Sequence, residues 1–355
     1  MRRIAKTSPL YLLGILLMAI SMPSCIHRPL EDPFTAHYIR IYIDEHIKNV
    51  TYGFYDESRE KPVHKRPTVL RVALSDPYSG RIISERYLQS SGEDERGYYI
   101  DGYIAAEPGD YNLLVYNFDT EKTKIRGENN YFDMQGYTNP VSDSYYKYFP
   151  TSRQELDDQT IRNCPEHLYV ASEPIHINDL FLGIDTIRNS EGDHFTAKSV
   201  VLSYYIQVKI KGFEHVSTAV SLMSGMAGSK TLHNREMNEK DPSSIFFNLK
   251  YTEVGQSKGP KGENTKTAVL YTTFNTFGKL PKEDNIYTLN FEFTRADGTS
   301  QTEVFDITKM FDEPLVKYEQ WILLEREIEI TPSGSSGTVD PGINDWDNVW
   351  SDIYL

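Results

Sequence analysis

Apolar and polar residues alternate with a period of two along most of the chain after residue 37, and sustained helical periodicity is scarce. Ile39, Ile41 and Ile43 alternate with Arg40 and Tyr42 in the first such segment. Because successive side chains of a β-strand point to opposite faces, this pattern predicts strands with one face in a core. The alternation recurs in further segments, at residues 69–74, 204–211, 287–293 and 322–330.

Turn signals separate these segments and indicate the fold class. Pro108-Gly109 is typical of a type II turn, and Asp297-Gly298 is typical of a hairpin. Many short strands divided by such turns are typical of β-sandwiches. The chain has 355 residues, which fits two domains of about 100–200 residues each. We predict an all-β fold of two tandem β-sandwich domains, with the N-terminal one at 38–189 and the C-terminal one at 190–330.

A linker and an apolar tail follow the second predicted domain, at residues 331–355. Residues 331–342 are rich in Gly, Ser and Pro, a composition typical of a flexible linker. The last segment carries Trp346 and Trp350, two of the chain's three tryptophans, together with Ile353. Because disordered tails are poor in such residues, we predict that this tail packs on another surface.

The first 24 residues predict a bacterial lipoprotein signal peptide. A basic start precedes an apolar run at residues 10–20. A transmembrane helix needs about 20 apolar residues, so this run is too short to cross a bilayer. The small residue before Cys25 predicts cleavage there and lipidation of Cys25. Secretion without lipid is the alternative. Residues 25–37 are predicted to form a short tether.

The net charge and the cysteines narrow the possible partners. The formal net charge is −14, and loss of the three bases of the signal peptide lowers it to −17. Such a surface repels phosphate backbones and anionic lipid. We therefore expect no nucleic acid partner and a covalent link to the membrane. With Cys25 lipidated, Cys164 has no partner for a disulfide.

Residues able to carry catalysis or bind a metal are present, but not in the patterns that such chemistry requires. Cys164 and His167 are close in sequence, yet a zinc site needs about four ligands and no second pair exists. Glu325, Glu327 and Glu329 share one face of a predicted strand, which is typical of a solvated surface. No phosphate-binding loop, GxSxG or HExxH motif occurs. We expect no catalytic residue, no metal and no cofactor.

Several segments together resemble the fimbrillin-type, fimbrial-anchor-like lipoproteins of bacteroidal bacteria, especially an uncharacterised outer-membrane lipoprotein branch. They occur in order along the mature chain: CIHRPLED at 25–32, PGDY at 108–111 leading into LLVYNF, SLMSGMA at 221–227, and DPG through Trp346 at 340–346. The resemblance implies transthyretin-like sandwiches and a non-enzymatic role as a fimbrial subunit or anchor that supports adhesion. The implied partners are other fimbrial subunits, the outer membrane through the lipid, and a possible host or glycan ligand.

Subunits of such systems assemble by β-strand addition, in which a strand of one subunit fills a groove of another. Two segments of this chain are candidates for strand exchange, the first strand and the C-terminal tail. The candidate residues are Ile39, Ile41, Ile43, Trp346, Trp350 and Ile353. An anchor would keep its first strand, because a cut after Arg40 would release the protein from its lipid.

A surface glycan-binding lipoprotein is the alternative function. Tyr145, Tyr146 and Tyr148 lie in a polar segment, where their rings could stack on sugars or form a protein interface. Tyrosine is also an ordinary strand residue, which explains the same composition without a ligand. Both functions predict a lipid-anchored, surface-exposed protein of the cell outer membrane.

Overall fold

A computed structural model describes residues 36–45, 65–142, 159–178, 186–258, 264–281 and 286–332. Regular structure in these ranges is almost entirely β-strand, which confirms the predicted all-β class. The helical elements in these ranges are short: the α-helix α1 (Pro314–Glu319) and the 3-10 turns Phe213–His215 and Thr308–Asp312. The predicted signal peptide with Cys25, and the tail with Trp346, Trp350 and Ile353, lie outside the described residues.

The strands of the first half have at most nine residues each. They are β1 (Ala36–Ile43), β2 (Leu70–Ser75), β3 (Ile82–Leu88), β4 (Ser90–Asp94), β5 (Gly97–Ala105), β6 (Gly109–Asn117), β7 (Thr123–Arg126), β8 (Gln135–Thr138), β9 (Thr160–Asn163), β10 (Tyr169–Ile177) and β11 (Phe195–Ser199). The first strand begins at Ala36, inside the predicted tether.

The strands of the second half are longer. They are β12 (Leu202–Lys211), β13 (Val216–Ala227), β14 (Ser229–Thr231), β15 (Pro242–Asn248), β16 (Lys250–Lys258), β17 (Asn264–Thr276), β18 (Thr288–Arg295), β19 (Ser300–Asp306) and β20 (Trp321–Glu329).

The N-terminal body is one curled sheet of eight strands, in the order β3-β2-β6-β10-β11-β1-β5-β4. The two end strands, β3 and β4, are separated in sequence by Gln89 alone. The sheet therefore folds back on itself so that its ends meet, which leaves few open edges. Its interior is a core of aliphatic side chains from every second strand position, including Ile39, Ile41, Leu70 and Val72.

The C-terminal body is a sandwich of two sheets, β16-β17-β12-β20 and β19-β18-β13-β15-β9. The alternating residues Tyr204, Ile206, Val208 and Ile210 of β12 all enter its core, as their spacing predicts. Gly212 makes the turn that follows, with φ at 83°. A Cβ at this position would lie 2.2 Å from the carbonyl oxygen of Ile330, so the close approach of the two chains requires glycine.

Each body contains a strand from the other side of the predicted boundary at residue 190. β11 follows that boundary in sequence but pairs with β1 and β10 of the N-terminal body. β9 precedes it but pairs in parallel with β15 of the C-terminal body. A small sheet, β14-β8-β7, also joins the halves. A shared apolar cluster packs beneath this junction, with Tyr116, Leu168, Val200, Leu232 and Phe277 among its members.

Candidate functional site

The first strand lies in the interior of its sheet and is hydrogen-bonded along both edges. It runs antiparallel to β5 from Ala36 to Tyr42, and parallel to β11 from Ile41 to Ile43. On the same edge of β1 as β11, the amide of Ile187 donates to the carbonyl oxygen of Tyr38 at 2.8 Å. We call the space between β5 and β11 the β1 slot. Removal of β1 would expose a row of unpaired backbone groups on each side of this slot.

The inner face of β1 supplies core residues, as its alternation predicts. Ile39 and Ile41 are fully buried, and Ile43 is nearly so. Burial of each such side chain stabilises the fold by about 2 kcal/mol. His37 lies on the same face, with Nε2 at 3.2 Å from the carbonyl oxygen of Ala106. The three isoleucines named as strand-exchange candidates thus occupy the positions that any strand in the slot would have to fill. Their exchange between subunits stays a prediction.

The outer face of β1 carries a clamp around Arg40 that the sequence did not reveal. The guanidinium carbon of Arg40 lies 3.8 Å from the ring centroid of Tyr99 on β5. Its Nη1 is 3.2 Å from a carboxylate oxygen of Asp94, and its Nη2 is 3.5 Å from one of Asp101. Its Nε donates to the hydroxyl of Tyr38 at 3.0 Å. Arg40 is therefore held by a cation–π contact, two ion pairs and a neighbour on its own strand.

Tyr38 and Tyr42 extend this clamp on either side of Arg40. The hydroxyl of Tyr38 donates to Asp101 at 2.6 Å, and that of Tyr42 donates to Asp94 at 2.8 Å. Burial, followed by the hydrogen bond to Asp101, raises the pKa of Tyr38. The hydrogen bond from Tyr42 lowers the pKa of Asp94. The Asp94 carboxylate thus remains ionised and available to Arg40 at neutral pH.

The other side of Tyr42 packs against the turn that precedes β11. Arg96 lies over the Tyr42 ring, with its guanidinium carbon 4.5 Å from the centroid. It also pairs with Asp193 at 2.6 Å. We use the name outer ladder for Tyr38, Arg40 and Tyr42 together with the partners given above. Through this ladder, every outward side chain of β1 from Tyr38 to Tyr42 contacts the β4–β5 hairpin, and Tyr42 also contacts His194 in the segment before β11.

The last described strand, β20, lies at the edge of its sheet, where the C-terminal tail begins. Its register with β12 shifts between Val208 and Ile210. The residues of β20 at this shift are exposed and charged, from Glu325 to Glu327. Glu327 pairs with Lys209 at 3.1 Å, and Arg326 lies over the ring of Phe305 on β19. A bulge with charged side chains discourages addition of another strand at this edge.

The groups considered for catalysis occupy structural positions. The Cys164 thiol donates to the carbonyl oxygen of Phe246 at 3.3 Å, and burial raises its pKa to about 11. His167 instead lies between the hydroxyls of Ser199 and Ser203, at 2.9 and 3.1 Å. A thiol with this pKa is a poor nucleophile at neutral pH. Within the described ranges, no cluster of three or more metal-ligating side chains forms.

A polar cleft of about 250 Å³ at the junction of the two bodies was also not foreseen from the sequence. Asp119, Glu166, His167 and Asn275 are among the residues that line it. These groups already serve the fold: Asp119 accepts from Thr68, Glu166 accepts from the amide of Lys122, and Asn275 donates to the carbonyl oxygen of Pro165. The bonds of Asp119 and Glu166 lie within the first half of the chain, whereas Asn275 joins β17 to the segment between β9 and β10.

The described residues do not test the glycan-stacking hypothesis. Tyr145, Tyr146 and Tyr148 lie outside the described residues. Tyr131, at the start of the same segment, is buried in the cluster beneath the junction. In the part of the chain that the structure describes, no helix is long and apolar enough to span a bilayer.

Comparison with known proteins links the chain to bacteroidal surface proteins. Residues 88–248 match the family model "Domain of unknown function (DUF5119)". The chain is 25% identical over 228 residues to the "Putative fimbrium anchoring subunit Fim4B" of Bacteroides ovatus, and this match covers 59% of each protein. The chain therefore spans about three fifths of the length of that curated relative.

One of the similar solved structures supports this fold. A "putative adhesin" from Bacteroides ovatus superposes with a TM-score of 0.54 at 20% identity, over 88% of this chain and 98% of that one. The fimbrial anchor protein Mfa2 from Porphyromonas gingivalis matches with a TM-score of 0.43 at 11% identity, over 81% and 90% of the two chains. The resemblance found in the sequence is confirmed: the chain is similar to bacteroidal proteins named as fimbrial anchors and adhesins.

Proposed function

We propose that this chain is a non-enzymatic fimbrial subunit of the anchor type. In this proposal, lipid on Cys25 holds the mature protein on the outer membrane. The first strand stays in its slot, and other subunits join by β-strand addition through the C-terminal tail. The single observation that supports an anchor is the position of β1, which is paired on both edges and contacted by side chains on both faces.

Retention of β1 matters because the peptide bond after Arg40 lies between the lipid and the rest of the protein. A protease can cut a folded chain only where the backbone opens locally. Opening at Arg40 would break the β5 and β11 ladders, expose Ile39 and Ile41, and separate two ion pairs. We therefore expect that bond to be among the most protected arginine sites in the described chain.

The first prediction concerns cleavage of the membrane-bound protein by trypsin. We expect cleavage after Arg96, which lies in an exposed turn, to be at least about a hundredfold faster than cleavage after Arg40. Mass spectrometry of timed digests measures both rates. Release of the protein into solution by a cut after Arg40, as fast as the cut after Arg96, would argue against the anchor. A Cys25→Ser variant, which cannot carry the lipid, shows how much protein is released when the lipid is missing and no cut after Arg40 is needed.

The second prediction concerns assembly through the tail. Trp346→Ala combined with Trp350→Ala is expected to abolish recovery of high-molecular-weight partners, because large aromatic side chains dominate the affinity of interfaces. The measurement is capture of the protein from outer membranes solubilised in mild detergent, followed by identification of the co-isolated proteins. Asp345→Asn, in the same segment, is the matched control and should leave recovery unchanged. Unchanged recovery in the tryptophan variant would remove the tail from the proposal.

A further inference from the structure

The three isoleucines on the inner face of β1 cannot by themselves identify the strand that occupies the slot. Ile39, Ile41 and Ile43 are the same residue at every second position. A strand shifted by two residues still places isoleucine in two of these three sites, and any other strand with alternating aliphatic residues can do the same. Selection of the correct strand and register must therefore come largely from another feature.

The outer face supplies that feature, because its three positions differ from one another. In the native register Tyr38, Arg40 and Tyr42 stand opposite Tyr103, Asp101 and Tyr99 of β5. A shift of two residues puts Arg40 opposite a tyrosine and moves it away from the Asp101 and Asp94 carboxylates. A strand with a neutral residue in place of Arg40 leaves both carboxylates without their cation and the Tyr99 ring without its stacked guanidinium.

We propose that the β1 slot recognises its strand by the outer ladder, with Arg40 as the specificity-determining residue. The slot is thereby selective for an extended peptide that carries a guanidinium between two tyrosines and β-branched aliphatic residues on the opposite face. This selectivity goes beyond the proposed function, since it is a property of the folded slot whether or not the protein anchors a fimbria. It would keep aliphatic strands of other subunits out of the N-terminal body.

A nicked form of the full chain tests this proposal. A protease recognition site inserted in residues 46–64, between β1 and β2, allows the chain to be cut after folding while both pieces are retained. The nicked protein is unfolded and refolded with a large excess of an equimolar mixture of two peptides. One peptide has the sequence of residues 36–45, and the other is the same peptide with Arg40→Ala. Mass spectrometry of the refolded complex gives the ratio of the peptides retained.

We expect the peptide with arginine to be retained about tenfold more than the peptide with alanine, because arginine adds a close cation–π contact, an exposed ion pair with Asp94 and a part-buried one with Asp101. A peptide with Arg40→Lys should fall between them, because lysine keeps the charge but cannot stack a planar guanidinium. A nicked chain that carries Arg40→Ala in its own strand should take up the arginine peptide more readily than the nicked wild type does.

Equal retention of the arginine and alanine peptides would overturn the proposal, as would exclusion of both peptides from the nicked Arg40→Ala chain. Neither result depends on membrane attachment or on a fimbrial partner. Failure of the strand selectivity is therefore distinguishable from failure of the anchor function, which the trypsin and co-isolation experiments test separately.

Discussion

Ile41→Ala is expected to lower the free energy of unfolding of the N-terminal body by about 3 kcal/mol. Ile41 is fully buried at the centre of β1 and packs in the N-terminal core. The curled sheet around it is hydrogen-bonded on both sides of β1, so the backbone cannot easily collapse into the space that the side chain leaves. Urea denaturation of the mature protein measures the change. Cleavage by trypsin after Arg40 should become faster in the same variant.

Ile83→Ala on β3 is the matched control, because it removes the same atoms from another strand of the same sheet. Ile83 is 50% exposed, so its loss should cost less than about 0.5 kcal/mol. Similar losses for the two variants would mean that β1 is not part of the stable core. In that case the slot would be an open groove, and retention of the first strand could not support an anchor.

The residues on the inner face of β1 could be predicted because they depend only on the alternation of residues along the strand. Period-two alternation places Ile39, Ile41 and Ile43 on one face whatever the rest of the fold does. The same argument correctly placed Tyr204, Ile206, Val208 and Ile210 of β12 in the core of the C-terminal body. The resemblance to fimbrial lipoproteins added a use for the first strand that no pattern of residues in β1 could indicate.

The outer ladder could not be predicted, because it depends on which strands become neighbours. Arg40 meets Asp94 and Asp101 only after β1 pairs with β5, about 60 residues later in the chain. The alternation of Tyr99, Asp101 and Tyr103 was visible in the sequence, but its register against β1 was not. A one-residue difference in register would place these side chains on the opposite face.

The pairing of strands across the predicted domain boundary could not be predicted from the sequence either. β9 has only four residues, and its parallel pairing with β15 spans about 80 residues of sequence. Short strands with non-local partners give almost no local signal. One buried arginine, Arg162 on β9, stabilises this pairing, because it donates hydrogen bonds to two separate segments, at Thr138 and at residues 241–243. The bodies therefore share a junction rather than a flexible linker.

Arg162→Met is expected to destabilise this junction by about 3 kcal/mol or more. The side chain of Arg162 on β9 is 10% exposed. Its Nε donates to the hydroxyl of Ser243 at 3.0 Å, its Nη2 donates to Asp241 at 2.9 Å, and its Nη1 donates to the carbonyl oxygen of Thr138. Methionine keeps much of the aliphatic stem but removes the guanidinium donor from the Thr138 carbonyl and from Asp241. The Asp241 carboxylate would then keep only the Ser229 hydroxyl at 3.1 Å and the more distant Arg126, and loss of the buried partner of a charge is costly.

Arg126→Ala tests whether this effect comes from the buried network or from loss of any cation near Asp241. Arg126 lies 3.9 Å from the same carboxylate, but its side chain is 44% exposed. Its removal should therefore cost less than about 1 kcal/mol. Urea denaturation of both variants gives the comparison. A loss for Arg162→Met no larger than for Arg126→Ala would show that β9 is only loosely held, and the two bodies would then behave as independent domains.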